Sequence, residues 1–337
     1  MFEPIRTRRL LIRAFEATDL DAFHARRNDP EVARWQTWTL PYPRERSEKV
    51  VAEVMAMDGP TSDDWWMASV ILAETDEVIG DLAVNLTWDS RCAEIGYTFA
   101  PAHWRRGYAV EAAEAIVEYL FDTIGVTRIA GTLHPENTPS AMVLERLGLL
   151  FEGHTRLSYW VGDDNSDDWI YGMIRDTWEA WRGRPSTPPR EVRLVEIDPE
   201  TFDDVVKLRT HKTQERFVAP MAGSFADALF PELVDGAPVV PWMRAITADD
   251  TIVGFVMLAL TTEHHSEPYL WRLLIDRLHQ RRGIGSRAMD LVEAECQGSL
   301  LTSWVPGRGG PEAFYLARGF APTGRIVDGE VEGRKVL

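Results

Sequence analysis

Two short blocks of this 337-residue chain present arginines, a glycine and a following helical run in the same order. The first is Trp104-Arg105-Arg106-Gly107-Tyr108-Ala109, and the second is Gln280-Arg281-Arg282-Gly283-Ile284-Gly285. A glycine turn that leads from a strand into a helix points several backbone N–H groups the same way, and the helix dipole adds partial positive charge there. Glycine also lets the backbone approach an anion with no Cβ in between. The chemistry such a turn supports is the capture of a phosphate or pyrophosphate, with Arg105, Arg106, Arg281 and Arg282 adding charge at the two mouths. One such turn alone reads equally well as a plain turn with solvated arginines. Two copies in register, each with the same elements downstream, do not.

Carboxylates stand close to both blocks. Glu94 lies inside the apolar strand run Ala93–Phe99, where a charge is costly unless it has a role. It is the candidate general base of the first half; the alternative is that it points outward and is merely solvated. Asp276 ends the corresponding run of the second half, Leu270–Ile275, and is a candidate to hold an ammonium group or relay its proton. A solvated surface carboxylate is an equal reading.

The elements that must position these groups repeat as well. Each block follows a strand-like run and precedes an apolar-periodic run, Val110–Phe121 or Ser286–Glu295. Each is followed by a strand, a helix and a glycine, Gly148 or Gly319. In the first half the pattern predicts strands at Leu10–Arg13, Trp66–Ala73, Val78–Leu86 and Ala93–Phe99. It predicts helices at Asp19–Asn28, Ser47–Met57, Val110–Phe121 and Thr138–Leu147. The fold class expected is mixed α/β (α+β), once in each half. Prolines 185, 188 and 189 in the stretch Gly183–Arg190 favour an extended linker. The domains are placed at 1–186 and 187–337.

Composition is globular, 45% hydrophobic and 26% charged, and the net charge is −17. An acidic surface disfavours nucleic acid, whose phosphates it repels. It steers cationic substrates in, or simply aids solubility. No run is long and apolar enough for a membrane span or a signal peptide, so a soluble cytoplasmic protein is expected. Cys92 and Cys296, one in each half, read as small buried hydrophobes. No spacing of Cys, His and carboxylates suggests a metal, and His264-His265 reads as solvated loop. Trp35, Trp38, Tyr42, Trp65 and Trp66 are expected either to line an acceptor groove that receives cations or to serve as ordinary packing.

Gln280–Gly285 resembles the Gln/Arg-x-x-Gly-x-Gly/Ala turn of the GNAT acyltransferase superfamily, and Trp104–Ala109 resembles the same turn with tryptophan first. Thr7–Ala14, Ala93–Tyr97 and Asn137-Thr-Pro-Ser140 with Glu145 and Gly148 are similar to the ribosomal-protein-alanine N-acetyltransferase branch. Leu149 departs from the phenylalanine usual there. Gln214–Pro220, Tyr269–Asp276, Phe314–Phe320 and Thr323-Gly-Arg with Asp328-Gly-Glu330 resemble diamine (spermidine-type) N-acetyltransferases.

The resemblance implies a twisted sheet splayed between two central strands, where the pantetheine arm of acetyl-CoA lies. It implies acetyl transfer to a primary amine without a metal. It implies cofactor contacts from the two turns (residues 105–109 and 280–285), from the strand ends Phe99 and Ile275, and from Asn137. Tyr315 matches the general-acid position, with packing under the sheet as its other reading, since Phe314 and Tyr315 are not expected to face inward together. Ser140 matches a catalytic serine, with helix capping as the rival. Glu215 matches a glutamate of the diamine-like motif and is an acceptor-binding candidate. The acceptor implied is a small cationic amine or polyamine, or a peptide N-terminus. The alternatives are a single active domain beside a structural or sensing partner, and an antibiotic-modifying or biosynthetic acyltransferase. The chain would work as a monomer with an intrachain domain pair or as a homodimer.

Overall fold

The computed structural model describes residues 2–62, 64–161, 164–234 and 236–337. The chain divides into two compact units, Met1–Arg182 and Gly183–Leu337. Each is a mixed α/β unit built on one sheet.

The first unit runs β1 (Ile5–Arg6), β2 (Leu10–Ala14), α1 (Leu20–Arg27), α2 (Pro30–Ala33), α3 (Arg44–Met55), β3 (Trp65–Leu72), β4 (Glu77–Thr87) and β5 (Cys92–Phe99). It continues with α4 (Tyr108–Tyr119), β6 (Arg128–Leu133), α5 (Thr138–Leu147), β7 (Leu150–Val161), β8 (Asp164–Ile174) and α6 (Arg175–Gly183). The sheet order is β1-β2-β3-β4-β5-β6-β8-β7, and every pair is antiparallel except β5 with β6. The expected strands and helices of this half all form, with ends displaced by a few residues. The largest displacements are at the start of α3, which begins at Arg44 rather than Ser47, and after α4, where a π-helical turn, Leu120–Ile124, carries the helix past Phe121.

The second unit runs β9 (Val192–Val195), α7 (Phe202–Val206), α8 (Met221–Leu229), β10 (Leu233–Val234), β11 (Ala237–Pro238), β12 (Val240–Ala248), β13 (Thr251–Leu260) and β14 (Tyr269–Ile275). It ends with α9 (Ile284–Glu295), β15 (Ser299–Trp304), α10 (Glu312–Ala317), β16 (Ala321–Val327) and β17 (Glu330–Val336). Its main sheet is ordered β16-β17-β15-β14-β13-β12-β9, with β14 and β15 the parallel pair.

Both parallel pairs are brief. β5 and β6 pair only at Cys92, Ala93 and Glu94, and β14 and β15 only at Tyr269 and Leu270. Beyond those residues the strands diverge and each sheet opens into a V. Burial closes the V from below. α4 sends Ala112, Ala113, Ile116 and Val117 into the core, and α9 sends Ile284, Ala288, Met289 and Val292. These positions recur at helical spacing on one face, so a single stripe of each helix meets the sheet.

Candidate functional site

The two turns fold alike. In the first, Arg105 has φ 63° and Gly107 has φ 81°, with Gly107 the N-cap of α4. In the second, Arg281 has φ 62° and Gly283 has φ 76°, with Gly283 the N-cap of α9. A left-handed residue two positions before a left-handed glycine bends the chain so that consecutive N–H groups face one concavity, and a twelve-residue helix then starts from it.

The first residue of each turn is a lock. The Trp104 indole N–H donates to the Phe99 carbonyl at 2.7 Å, and the Gln280 amide donates to the Ile275 carbonyl at 3.0 Å. Different side chains tie the same turn position to the last residue of the same strand. Gln280 is also paired reciprocally with Gln214, at 2.9 and 3.2 Å.

The expectation of four free arginines is corrected. Arg105, Arg106 and Arg281 are exposed, but Arg282 is 7% exposed. Its guanidinium donates to the Thr187 carbonyl at 2.8 Å and lies 2.9 Å from His279 Nδ1. It holds the incoming chain against the turn and supplies no charge to the mouth. In the first unit that work falls to Arg9, which donates to the Arg106 carbonyl at 2.9 Å, pairs with Glu111 at 2.7 Å and lies over the Tyr108 ring.

In the second unit a cavity of about 570 Å³ runs from the turn into the V. Gln280, Arg281, Gly283, Ile284, Gly285 and Ile275 line one end; Glu215, Tyr315 and Glu330 also border it. Phe314 and Tyr315 both face it, against expectation, because α10 is a single six-residue stretch that starts directly after Pro311 at the cavity rim. Tyr315 stacks on Trp304 at 5.7 Å and meets Phe320 edge-on. Burial pushes its phenol up to about 12, with a hydrogen bond to Thr302 opposing. It is therefore a protonated donor near neutral pH.

Glu215 lies exposed at the rim, paired with Lys212 at 2.6 Å. Asp276 is not brought to this cavity. It lines another with Asp204, Lys207 and Thr247. Its two oxygens accept from the N–H groups of Arg209 and Leu278, both at 2.9 Å, so it organises the loop after β14.

In the first unit Glu94 sits on β5 where pairing with β6 ends. Burial raises its pKa, a Thr132 hydrogen bond opposes, and the charge of Asp168 raises it further. Asn137 is the N-cap of α5, its Oδ1 accepting from the Ser140 N–H at 3.3 Å. The cap is thus Asn137, and the Ser140 hydroxyl is left for other work. It lies 2.9 Å from the hydroxyl of Tyr97, which donates to the Ser140 carbonyl at the same distance. Tyr97 is a residue that sequence reasoning passed over. It reaches across the V from β5 to α5, and burial strongly raises its pKa. Its signal was the Glu94-Ile-Gly-Tyr97 run itself, where a tyrosine three positions from the carboxylate sits at the opened end of the strand.

The aromatic cluster resolves into two groups. Trp66 and Tyr42 are buried, and Trp38 donates its indole N–H to the Arg27 carbonyl at 2.8 Å, which is packing. Trp35 is half-buried beside His134, and Trp65 is exposed. Cys92 and Cys296 are half-buried free thiols rather than fully buried, and burial raises the Cys296 pKa. Among the described residues no cluster of His, Cys and carboxylates fits a metal, and no helix is long and apolar enough to cross a membrane.

Comparison with known proteins bears on the same two units. An acetyltransferase (GNAT) domain model matches residues 9–150, and an acetyltransferase (GNAT) family model matches residues 203–320. The uncharacterized N-acetyltransferase YnaD of Bacillus subtilis is 32% identical over 174 residues, covering 52% of this chain and 98% of that protein. The putative ribosomal N-acetyltransferase YdaF of the same organism is 32% identical over 96 residues, covering 28% of this chain and 52% of that protein. Among solved structures, a GNAT-family acetyltransferase from Bacillus anthracis is 29% identical with TM-score 0.48, covering 52% of this chain and 99% of that chain. With a family model on each unit and a relative matched over nearly its whole length, the chain belongs to the GNAT family of N-acetyltransferases and carries two of its domains in tandem.

Proposed function

We propose that both domains are active, and that each transfers acetyl from acetyl-CoA directly to a primary amine. The observation that carries this reading is the recurrence of one turn geometry, Arg105–Gly107 and Arg281–Gly283, at the open end of a splayed strand pair. Family membership supplies acetyl-CoA as donor. The N–H groups of each turn would hold its pyrophosphate, and the opened edge of β5 or β14 would receive the pantetheine arm.

In the second domain Tyr315 stands as the general acid. The amine nitrogen attacks the thioester carbonyl, the C–N bond forms and the C–S bond breaks. The phenol proton goes to the departing sulfur, and the proton lost from nitrogen restores the phenol. In the first domain Ser140, held by Tyr97, is the corresponding donor, and Glu94 with its raised pKa is the base. The half-buried thiols lie in no motif that would form an acyl-enzyme, which supports direct transfer. The carboxylate-rimmed cavity of the second domain favours a small cationic amine such as a polyamine. The first domain is assigned a peptide N-terminal amine or a small amino compound on the strength of its sequence resemblance.

Calorimetric titration of the full chain with acetyl-CoA tests the reading. Two sites per chain, with CoA release when spermidine or an alanine-terminated peptide is added, is the expected result. One site would leave a single catalytic domain, and none would overturn the proposal.

A further inference from the structure

The registers of the two sheets can be laid over one another. β6 and β8 pair from Arg128 with Ile174 to Leu133 with Trp169. β15 and β17 pair from Ser299 with Val336 to Trp304 with Val331. Both ladders are six residues long, and each belongs to the strand that pairs in parallel with the central one. The residue immediately before the last pair is Asp168 on β8 and Glu330 on β17, so one position of the fold carries a carboxylate in both domains.

Each carboxylate accepts a serine hydroxyl, although from opposite sides: Ser158 of the edge strand β7 donates to Asp168 at 2.8 Å, and Ser303 of β15 donates to Glu330. On the central strand, Glu94 pairs with Ala130 and Tyr269 pairs with Leu301. Ala130 and Leu301 are each the third residue of their strand, so Glu94 and Tyr269 are also equivalent. An irregularity in the β13–β14 ladder near Leu258 absorbs the one-residue difference along the chain. Glu94 feels the charge of Asp168, and Tyr269 and Tyr315 feel the charge of Glu330. Asp168 is 9% exposed, and Glu330 is half-buried in the lining of the cavity that holds Tyr315. Among the described residues neither carboxylate is paired with a guanidinium, so each is open to a cation, and for the buried Asp168 the charge is costly unless one arrives.

We propose that Asp168 and Glu330 are the acceptor-ammonium sites of the two domains. Glu330 takes one proton from the bound ammonium before attack and returns it to solvent after turnover. In the first domain Asp168 holds the ammonium while Glu94 takes that proton. This inference rests on the reading of both domains as amine acetyltransferases.

The test uses the full chain. Glu330→Gln is expected to lower kcat/KM for spermidine by about a hundredfold or more. It should leave acetyl-CoA affinity within about twofold. A variant that keeps the wild-type kcat/KM for spermidine overturns the proposal. Should Glu330→Gln also lose acetyl-CoA binding, Ser303→Ala decides. It removes the hydroxyl that holds the Glu330 carboxylate, so KM for spermidine must change by about threefold or more with acetyl-CoA affinity held, and an unchanged KM overturns the proposal. Asp168→Asn is expected to raise KM for an alanine-terminated peptide about tenfold and to move the acidic limb to lower pH, because a like charge has left Glu94. An unchanged KM breaks the equivalence of the two positions. A wild-type chain that releases no CoA with either amine overturns the amine reading and this inference together, and is recognised because the failure precedes any substitution.

Discussion

The two domains share a turn geometry and differ in the hydroxyls placed near the opened strand pair. Their turns agree within a few degrees of φ at the arginine and the glycine, although the first begins with tryptophan and the second with glutamine. A buried tyrosine on α10 lines the cavity of one domain, while in the other a serine on α5 leans on a tyrosine from β5. An anion site made of N–H groups depends on φ and ψ, which many sequences satisfy. A proton donor depends on one atom in one place, and under the proposed reading each domain has its own.

The comparison breaks most visibly at those donors. Tyr315→Phe keeps the ring that stacks on Trp304 and removes only the hydroxyl. Spermidine turnover should fall by a factor on the order of 10²–10⁴, with acetyl-CoA affinity held. Tyr97→Phe should spare that activity and impair transfer to a peptide amine instead, and Ser140→Ala should do the same more strongly. Steady-state rates with the two acceptors decide it. Loss of both activities in Tyr315→Phe would mean that the domains do not work separately.

A second difference lies in how helices are fastened to the sheets. In the first unit α1 brings Arg26 and Arg27 onto Asp81, at 3.0 and 3.2 Å, and all three are buried. In the second unit Val205, Leu208 and Met221 pack on Phe255 and Met257, and the ion pair that joins α8 to the sheet, Asp227 with Arg272 at 2.8 Å, is partly exposed. Removing one member of a buried ionic group leaves the others uncompensated, at about 3–5 kcal/mol. Asp81→Ala should therefore lower the unfolding transition of the first unit and leave that of the second in place, as read by calorimetry. A shift of both would show that the units unfold together.

The pH dependence separates the domains again. Burial raises the folded-state pKa of Glu94 above the ordinary carboxylate range. A base works only when deprotonated, so the peptide activity should fall as pH drops through that raised value. Glu94→Gln should flatten this limb and lower the rate at neutral pH by about tenfold or more. The same substitution leaves the spermidine profile unmoved. An acidic limb that persists in Glu94→Gln would assign the titration to another group.

Much of this was legible in the chain because its cues are local. Glycine at a left-handed position, helical spacing of apolar residues and Asn137 at a helix start are all read within a few residues. The roles that escaped were set by partners distant in sequence. Arg282 looks like a free cation until Thr187 is seen against it, and Asp276 looks like a substrate ligand until the N–H groups of Arg209 and Leu278 claim its oxygens. Glu330 was visible only as part of a motif, since its meaning depends on the register of β15 with β17. Tyr97 was masked because a strand tyrosine reads as packing until the sheet opens beside it.

The smallest effect tests the closest likeness. Trp104 and Gln280 share one hydrogen bond, from a side-chain N–H to the carbonyl that ends the central strand. Trp104→Phe removes that donor and keeps an aromatic ring. A hydrogen bond of this kind contributes about 1 kcal/mol, so acetyl-CoA should bind the first domain roughly fivefold more weakly. Trp104→Gln should recover most of the loss, because the second domain already holds its turn with an amide at that position. If the glutamine variant binds as weakly as the phenylalanine one, the indole ring rather than its N–H fixes the first turn, and the two locks are alike only in outline.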